Sequence, residues 1–183
     1  MKLIDLLSYK QQSKYAMLAF LIRAGIFYFI WLLLYHWFIL PTTNTDRLVI
    51  DNLIDIASVF LRGMGFELIP NPAEGEPIRT IGIDGTHGLW VGDPCNGLTL
   101  FAVFSSFILA FPGTLKLKTW FIPMGIIIIH LANVIRITIL TIIVDIDYNY
   151  LDFNHNYTFT IFVYSIILIL WYWFIKMAKK NVQ

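Results

Sequence analysis

Cys95 is the only cysteine of this 183-residue chain, and it stands where a polar segment meets an apolar one. Asp93 is a candidate N-cap and Pro94 a candidate first helical residue, which predicts that Cys95 lies in the first turn of a helix. The unpaired N–H groups of such a turn would favour the thiolate, and Gly97 would let another backbone approach the sulfur. A lone cysteine can also be a small buried apolar residue, and that alternative stays open at this point.

Two further side chains could work with a thiolate. Cys95 would attack a peptide carbonyl, His155 would act as general acid and base, and Arg136 would stabilise the oxyanion. Taken singly, Arg136 could be a snorkelling residue and His155 could belong to an aromatic belt at a membrane interface. One cysteine and scattered histidines lack the spacing of metal ligands, so we expect no metal site and no cofactor.

The composition is that of an integral membrane protein, with 58% hydrophobic and 14% charged residues. Apolar runs over 16–40, 120–144 and 157–175 are long enough to cross a bilayer, which takes about 20 helical residues. The run over 98–111 reaches a marginal span if its helix begins at Pro94. We therefore predict a mainly α fold and a single integral membrane domain over 1–183. Its four transmembrane helices would lie at about 16–40, 94–111, 119–144 and 155–176, the first retained as an anchor.

The insert over 41–93 divides into two parts. Val49, Leu53, Ile56 and Phe60 recur at helical spacing opposite a polar face that includes Asp46, which predicts an amphipathic helix over 45–61 lying on the membrane. Short β-like runs follow over 66–69, 78–83 and 87–91. Asp84-Gly85 between the last two is a hairpin signal, so we predict a small β-hairpin element that leads into Cys95. His87 on this hairpin is interpreted as a surface residue.

Charge is distributed unevenly between the two sides of this four-span arrangement. One side carries Lys2, Lys10, Lys14, Lys116, Lys118, Lys176, Lys179 and Lys180. The other carries acids that include Asp46, Asp51, Asp55, Glu67, Glu74, Glu76, Asp93, Asp145, Asp147 and Asp152. The positive-inside rule then predicts that both termini are cytoplasmic and that the insert lies outside.

The depths of the three reactive side chains can be compared by counting from the nearest lysine. Cys95 is 21 residues from Lys116, Arg136 is 18 from Lys118 and His155 is 21 from Lys176. At about 1.5 Å per helical residue these separations are each roughly one bilayer core thickness. All three side chains are therefore expected at the outer interface.

Polar stripes on three helices should face one another, because polar side chains avoid lipid. The first stripe runs through Cys95, Thr99, Ala102 and Ser106, the second through His130, Asn133 and Arg136, and the third through His155, Thr158, Phe162 and Ser165.

These residues resemble the exosortase/archaeosortase family of membrane transpeptidases. The resemblance rests on Cys95-Asn96-Gly97-Leu98 opening a span, on Asn133-Val134-Ile135-Arg136-Ile137 near the end of the next, and on His155 opening the one after. It implies that Cys95, Arg136 and His155 are catalytic. We further predict that Asn96, Gly97, Thr99 and Asn133 bind substrate or support them. Asn96 stands where Ser is commoner. The chain is also shorter than the eight-span exosortases, so it is similar to compact members of the exosortase F type.

The resemblance implies a cysteine protease or transpeptidase that sorts proteins at the outer face of a prokaryotic cytoplasmic membrane. Its partner would be a secreted protein whose C-terminal signal, of the PEP-CTERM type, combines a short motif, a transmembrane helix and a basic cluster. An unidentified acceptor would receive the cleaved protein, and we expect no nucleic acid partner. A non-catalytic scaffold that binds a partner helix is the alternative. A small-solute transporter is poorly supported, because the sequence has no inverted repeat.

Overall fold

A computed structural model describes residues 3–70, 79–92 and 95–180 of the chain, with side chains from residue 15 onward. The chain is mainly helical. Its five main helices are α1 (Leu3–Leu34), α2 (Thr45–Gly63), α3 (Leu98–Ala110), α4 (Leu115–Ile146) and α5 (Phe159–Lys180). Two π-helical turns, Tyr35–Ile39 and Asn154–Thr158, extend α1 and precede α5.

Three helical segments are long and apolar enough to cross a membrane: Tyr15–Thr42, Leu115–Ile146 and Tyr148–Lys180. The fourth apolar helix, α3, has 13 residues, which at about 1.5 Å per residue makes it roughly 20 Å long. The prediction of a helix beginning at Pro94 is wrong, because α3 begins at Leu98. Gly97, in a left-handed conformation with φ 83°, is its N-cap residue. Asp93 and Pro94 lie outside the described residues.

Helix α2 packs one face against α4 and the hairpin. Its buried residues are Asp46, Ile50, Leu53, Ile54, Ala57, Ser58 and Leu61. The predicted apolar face is thus rotated: Phe60 is exposed, whereas Ile50 and Ala57 are buried in a core shared with Val134 and Ile137 of α4. Packing against α4 determines which face of α2 is buried. The residue pattern of one helix alone does not contain this information. Asp46, which the pattern assigned to the polar face, is buried.

The β element is a small antiparallel pair of strands, β1 (Thr80–Ile81) and β2 (Leu89–Trp90). Thr80 pairs with Trp90 and Ile81 with Leu89. The predicted Asp84-Gly85 turn lies between them, with Gly85 at φ 85°. Ile81 and Leu89 are buried in the core that α2 and α4 share, which fixes the hairpin on the helices. Part of the second predicted run, at residue 78, lies outside the described residues.

Helices α3, α4 and α5 share a second core of large aromatic and aliphatic side chains. Phe104, Phe121 and Phe174 are fully buried in it. Helices α3 and α4 approach closely at Gly125, where a Cβ atom would overlap the ring of Phe104. Small residues allow this kind of close contact between apolar helices.

The polar stripe predicted on α5 is wrong beyond His155. Thr158, Phe162 and Ser165 are exposed, and the inward face of α5 is formed by Phe159, Val163 and Ile167. The π-helical turn Asn154–Thr158 contains more residues per turn than an α-helix. It therefore shifts the phase, so that the residue four positions after His155, and not the one three positions after it, points inward.

Candidate active site

Cys95, Arg136 and His155 meet at one point where the loop before α3, helix α4 and the π-helical turn come together. The Sγ atom of Cys95 lies 3.5 Å from Nε2 of His155. Nη2 of Arg136 lies 2.9 Å from the same nitrogen. Both contacts are at hydrogen-bond distance. The imidazole thus stands between the thiol and the guanidinium.

The guanidinium decides which tautomer of His155 this arrangement accommodates. Arg136 carries only donors, so the hydrogen bond at 2.9 Å requires Nε2 of His155 to accept. The ring proton of a neutral imidazole is then on Nδ1, which faces Oδ1 of Asn156 at 3.3 Å. The unprotonated Nε2 is the atom nearest the thiol. Nε2 has one lone pair, so it can take a proton from Cys95 once the N–H of Arg136 turns away from it.

The backbone of the cysteine loop is held from α4. Nδ2 of Asn133 donates to the carbonyl oxygen of Cys95 at 2.5 Å. Asn133 is fully buried, and Cys95 is only 8% exposed. Asn133 lies one turn before Arg136 on the same helix. Helix α4 therefore positions both the nucleophile's backbone and the guanidinium.

The other three predicted site residues surround the start of α3. Asn96 is buried, and its Oδ1 accepts from the N–H of Leu98 at 2.9 Å, so its side chain caps the helix. A Cβ atom on Gly97 would lie 3.3 Å from Nδ2 of Asn133, and its positive φ is one that L side chains rarely adopt. Thr99, the second residue of α3, is exposed, and the side-chain hydrogen bonds of Cys95 and His155 go to other residues.

The prediction that Cys95 lies in the first turn of a helix is wrong. Cys95 precedes the first residue of α3 by three positions and is not in its first turn. The first N–H group of α3, that of Leu98, donates instead to Oδ1 of Asn96. The charged group that the structure brings to the thiol's partner is the guanidinium of Arg136.

Two clefts among the described residues adjoin this triad, one through His155 and the other through Arg136, and Cys95 lines neither of them. The hairpin cleft, of about 650 Å³, is lined by Thr80, His87, Gly88, Leu89, Trp90, Tyr148, Leu151, Asp152 and His155. The helix cleft, of about 320 Å³, is lined by Asn96, Gly97, Thr99, Leu100, Arg136, Thr160, Val163 and Tyr164.

The two clefts differ in position. The hairpin cleft opens between the β element and the segment before α5, whereas the helix cleft continues between α3 and α5. Nε of Arg136, in a side chain that is 8% exposed, has no hydrogen-bond partner among the described residues. A buried donor of this kind is costly unless something binds it. Arg136, which lines the helix cleft, thus keeps a donor that no described residue satisfies.

Sequence reasoning missed the walls of the hairpin cleft. Tyr148 and Asp152 belong to a segment interpreted as a connection and Trp90 to the predicted hairpin, and only the folded structure brings them beside His155. His87, interpreted as a surface residue, also lines this cleft. Among the residues that the structure describes, no group of three His, Cys, Asp or Glu side chains could hold a metal ion.

Comparison with known families identifies the class of protein. A family model described as transmembrane exosortase (Exosortase_EpsH) matches residues 12–173. The chain belongs to the exosortase family. This exosortase is a membrane protein, mainly helical, with three helices of spanning length and a shorter apolar helix. The resemblance noted from Cys95, Arg136 and His155 thus extends to almost the whole chain. No curated protein and no solved structure matches it.

Proposed function

We propose that this exosortase is a cysteine transpeptidase that cleaves a C-terminal sorting signal and passes the protein to an acceptor. The supporting observation is the contact of one imidazole nitrogen with both a thiol, at 3.5 Å, and a guanidinium, at 2.9 Å. Nucleophile, base and electrostatic stabiliser within hydrogen-bond reach are the elements that acyl transfer requires.

The proposed reaction has two steps. His155 Nε2 takes the thiol proton as Sγ of Cys95 bonds to the carbonyl carbon, and donors of Arg136 stabilise the oxyanion. The C–N bond then breaks, the proton passes from His155 to the leaving amine, and a thioester remains on Cys95. An acceptor nucleophile, activated by His155, attacks the thioester and regenerates the thiol. Water as the acceptor would give hydrolysis.

The two clefts support the proposal that the two sides of the cut bond bind at different places. The sorting signal combines a short motif with a transmembrane helix, so residues on the two sides of the cut bond differ in environment. We assign the motif to the hairpin cleft, which has polar walls at His87 and Asp152. The residues that begin the transmembrane helix are assigned to the helix cleft, which follows α3 and α5 past Leu100 and Val163.

The proposed orientation puts both termini in the cytoplasm and the site at the outer face of a prokaryotic cytoplasmic membrane. It rests on the distribution of charge, since lysines occupy the start of α4 and the end of α5, at the opposite end of both helices from the site. Cys95 allows a direct test, because it is the only thiol. A membrane-impermeant thiol reagent added outside intact cells should label it. Labelling that requires permeabilised cells would reverse the orientation.

The central experiment is processing of a tailed reporter in cells that express single variants. Cys95→Ala, Arg136→Ala and His155→Ala should each abolish release of the tail while the protein still inserts in the membrane. Arg62→Ala is the control, because this arginine is exposed and distant from the triad along α2. Normal processing by the Cys95→Ala variant would refute the proposal.

Filling the helix cleft tests the assignment of the substrate. Thr99 is exposed and lines the cleft, so Thr99→Trp should block the reporter without disturbing the core. A small alkylating reagent should still label Cys95 at its usual rate. Leu109→Trp, at an exposed position on the same helix outside the cleft, is the control. Unimpaired processing by Thr99→Trp would exclude the helix cleft as the path of the substrate.

A further inference from the structure

Asp46 is a buried carboxyl group that contacts the cysteine loop from a distant part of the sequence. It lies in the first turn of α2 and is 8% exposed. Its Oδ1 accepts hydrogen bonds from the hydroxyl of Tyr35, at 2.7 Å, and from Nδ2 of Asn96, at 2.5 Å. A buried carboxyl is costly unless it is hydrogen-bonded. These two donors satisfy that requirement, and one of them belongs to the residue beside the nucleophile.

Asn96 transmits this contact to the loop. While its Nδ2 donates to Asp46, its Oδ1 accepts from the backbone N–H of Leu98. The side chain is 3% exposed and so has little freedom to move. One amide therefore joins the start of α2 to the start of α3. The carbonyl group of Cys95, the residue before Asn96, accepts a hydrogen bond from Asn133 of α4.

We infer that Asp46 is a positioning residue for the nucleophile, acting through Asn96. This inference rests on the proposed function of Cys95. The loop over 95–97 lies outside α3, and the N–H of Cys95 donates to the carbonyl of Gly92 at 2.8 Å, so the repeat of α3 does not fix the sulfur against His155. Asn133 holds the carbonyl of Cys95 from α4, and Asp46 holds the following side chain from α2. Together they hold the loop from two directions.

Exchanging the side chains of Asp46 and Asn96 tests the contact, because the hydrogen bond can then form with donor and acceptor reversed. Asn96→Asp should keep the cap on Leu98 but lose the donor and oppose two carboxyl groups, so processing should fall by about 10-fold or more. Asp46→Asn retains an acceptor oxygen, so its loss should be smaller. In the double variant Asp46→Asn/Asn96→Asp the amide donates in the reverse direction, and processing should recover above the level of Asn96→Asp alone.

The readouts separate positioning from other roles. Loss of positioning should lower kcat for the reporter and leave KM unchanged, and it should change the rate at which a small reagent labels Cys95. Asp55→Asn, an exposed carboxyl on the same helix, is the control for charge on α2. Asp46→Ala should process poorly and still insert.

Two outcomes would overturn the inference: normal processing by Asp46→Ala, or no recovery in the double variant when all variants insert equally. The failure of the proposed function looks different. In that case Cys95→Ala would process the reporter normally, whereas the labelling rates of the Asp46 and Asn96 variants would still report how the loop is held.

Discussion

Nη2 of Arg136 lies 2.9 Å from Nε2 of His155, so two basic side chains share a hydrogen bond in the centre of the site. Arginine carries only donors, so Nε2 of His155 is the acceptor in this pairing. The same guanidinium has a buried Nε without a partner among the described residues. Arg136 therefore has donors besides the one at His155 that could bind a developing oxyanion.

Arg136→Lys should be far from conservative. Lysine keeps the positive charge but lacks the planar fork, so it cannot hold His155 and bind an oxyanion at once. We expect the rate of reporter processing to fall by about 100-fold or more, the usual cost of removing an oxyanion donor. Arg62→Lys on the exposed side of α2 is the control. A lysine variant as fast as the natural protein would show that charge alone suffices at position 136.

Asn133→Leu should disable the site through the backbone of Cys95. The substitution preserves volume but removes the donor to the carbonyl of Cys95, leaving a buried acceptor unpaired. We expect a loss of about 1–3 kcal/mol in stability, measured by thermal unfolding in detergent, and a much slower reporter reaction. Asn52→Leu is the matched control, since Asn52 is exposed and bonds His130 away from the triad. Equal effects of the two variants would contradict a special role for Asn133.

Gly97→Ala should impair processing more than it impairs stability. Alanine at φ 83° is strained by about 1–2 kcal/mol, and its methyl group would press on Nδ2 of Asn133. Gly85→Ala is a matched control, because Gly85 has φ 85° in open space on the hairpin. Both variants should lose similar stability, whereas only Gly97→Ala should slow the reporter. Equal reporter rates would show that the shape of the loop at Gly97 does not matter to the site.

Gly125→Ala should destabilise the helical core without touching the triad. The added methyl would overlap the ring of Phe104, which is fully buried, and overpacking of this kind costs about 1–3 kcal/mol. Gly25→Ala on α1 has nothing within 4 Å and is the control. The measurement is the midpoint of thermal unfolding in detergent. A Gly125→Ala protein as stable as Gly25→Ala would mean that α3 and α4 are packed less closely than described.

The sequence predicts well those features that depend on the regular periodicity of an α-helix. Asn133 and Arg136 lie three residues apart within one long helix, so their common face and their depth followed from the α-helical repeat. The comparison of depths predicted that Cys95, Arg136 and His155 share one level, and the structure places them within hydrogen-bond distance. Their catalytic roles stay a prediction.

The predictions from sequence are wrong where the backbone departs from α-helical periodicity. The loop over 95–97 lies outside α3, which begins at Leu98, so the prediction of Cys95 in the first turn of that helix was wrong. The π-helical turn before α5 shifted the inward face from Phe162 to Val163. Asp46 and Asn96 are 50 residues apart and belong to different elements. No local pattern relates two such residues, so only the fold reveals their contact.

The shortness of α3 has a consequence for the lipid around it. Its 13 residues extend roughly 20 Å, against a hydrocarbon thickness of about 30 Å. Nζ of Lys118 donates to the carbonyl of Leu109, which ties the far end of α3 to the lysine-bearing side. In the proposed orientation the thiol would therefore stand below the outer headgroups. The bilayer would thin at this point, so the tail of the proposed substrate would reach the thiol in a depression of the membrane surface.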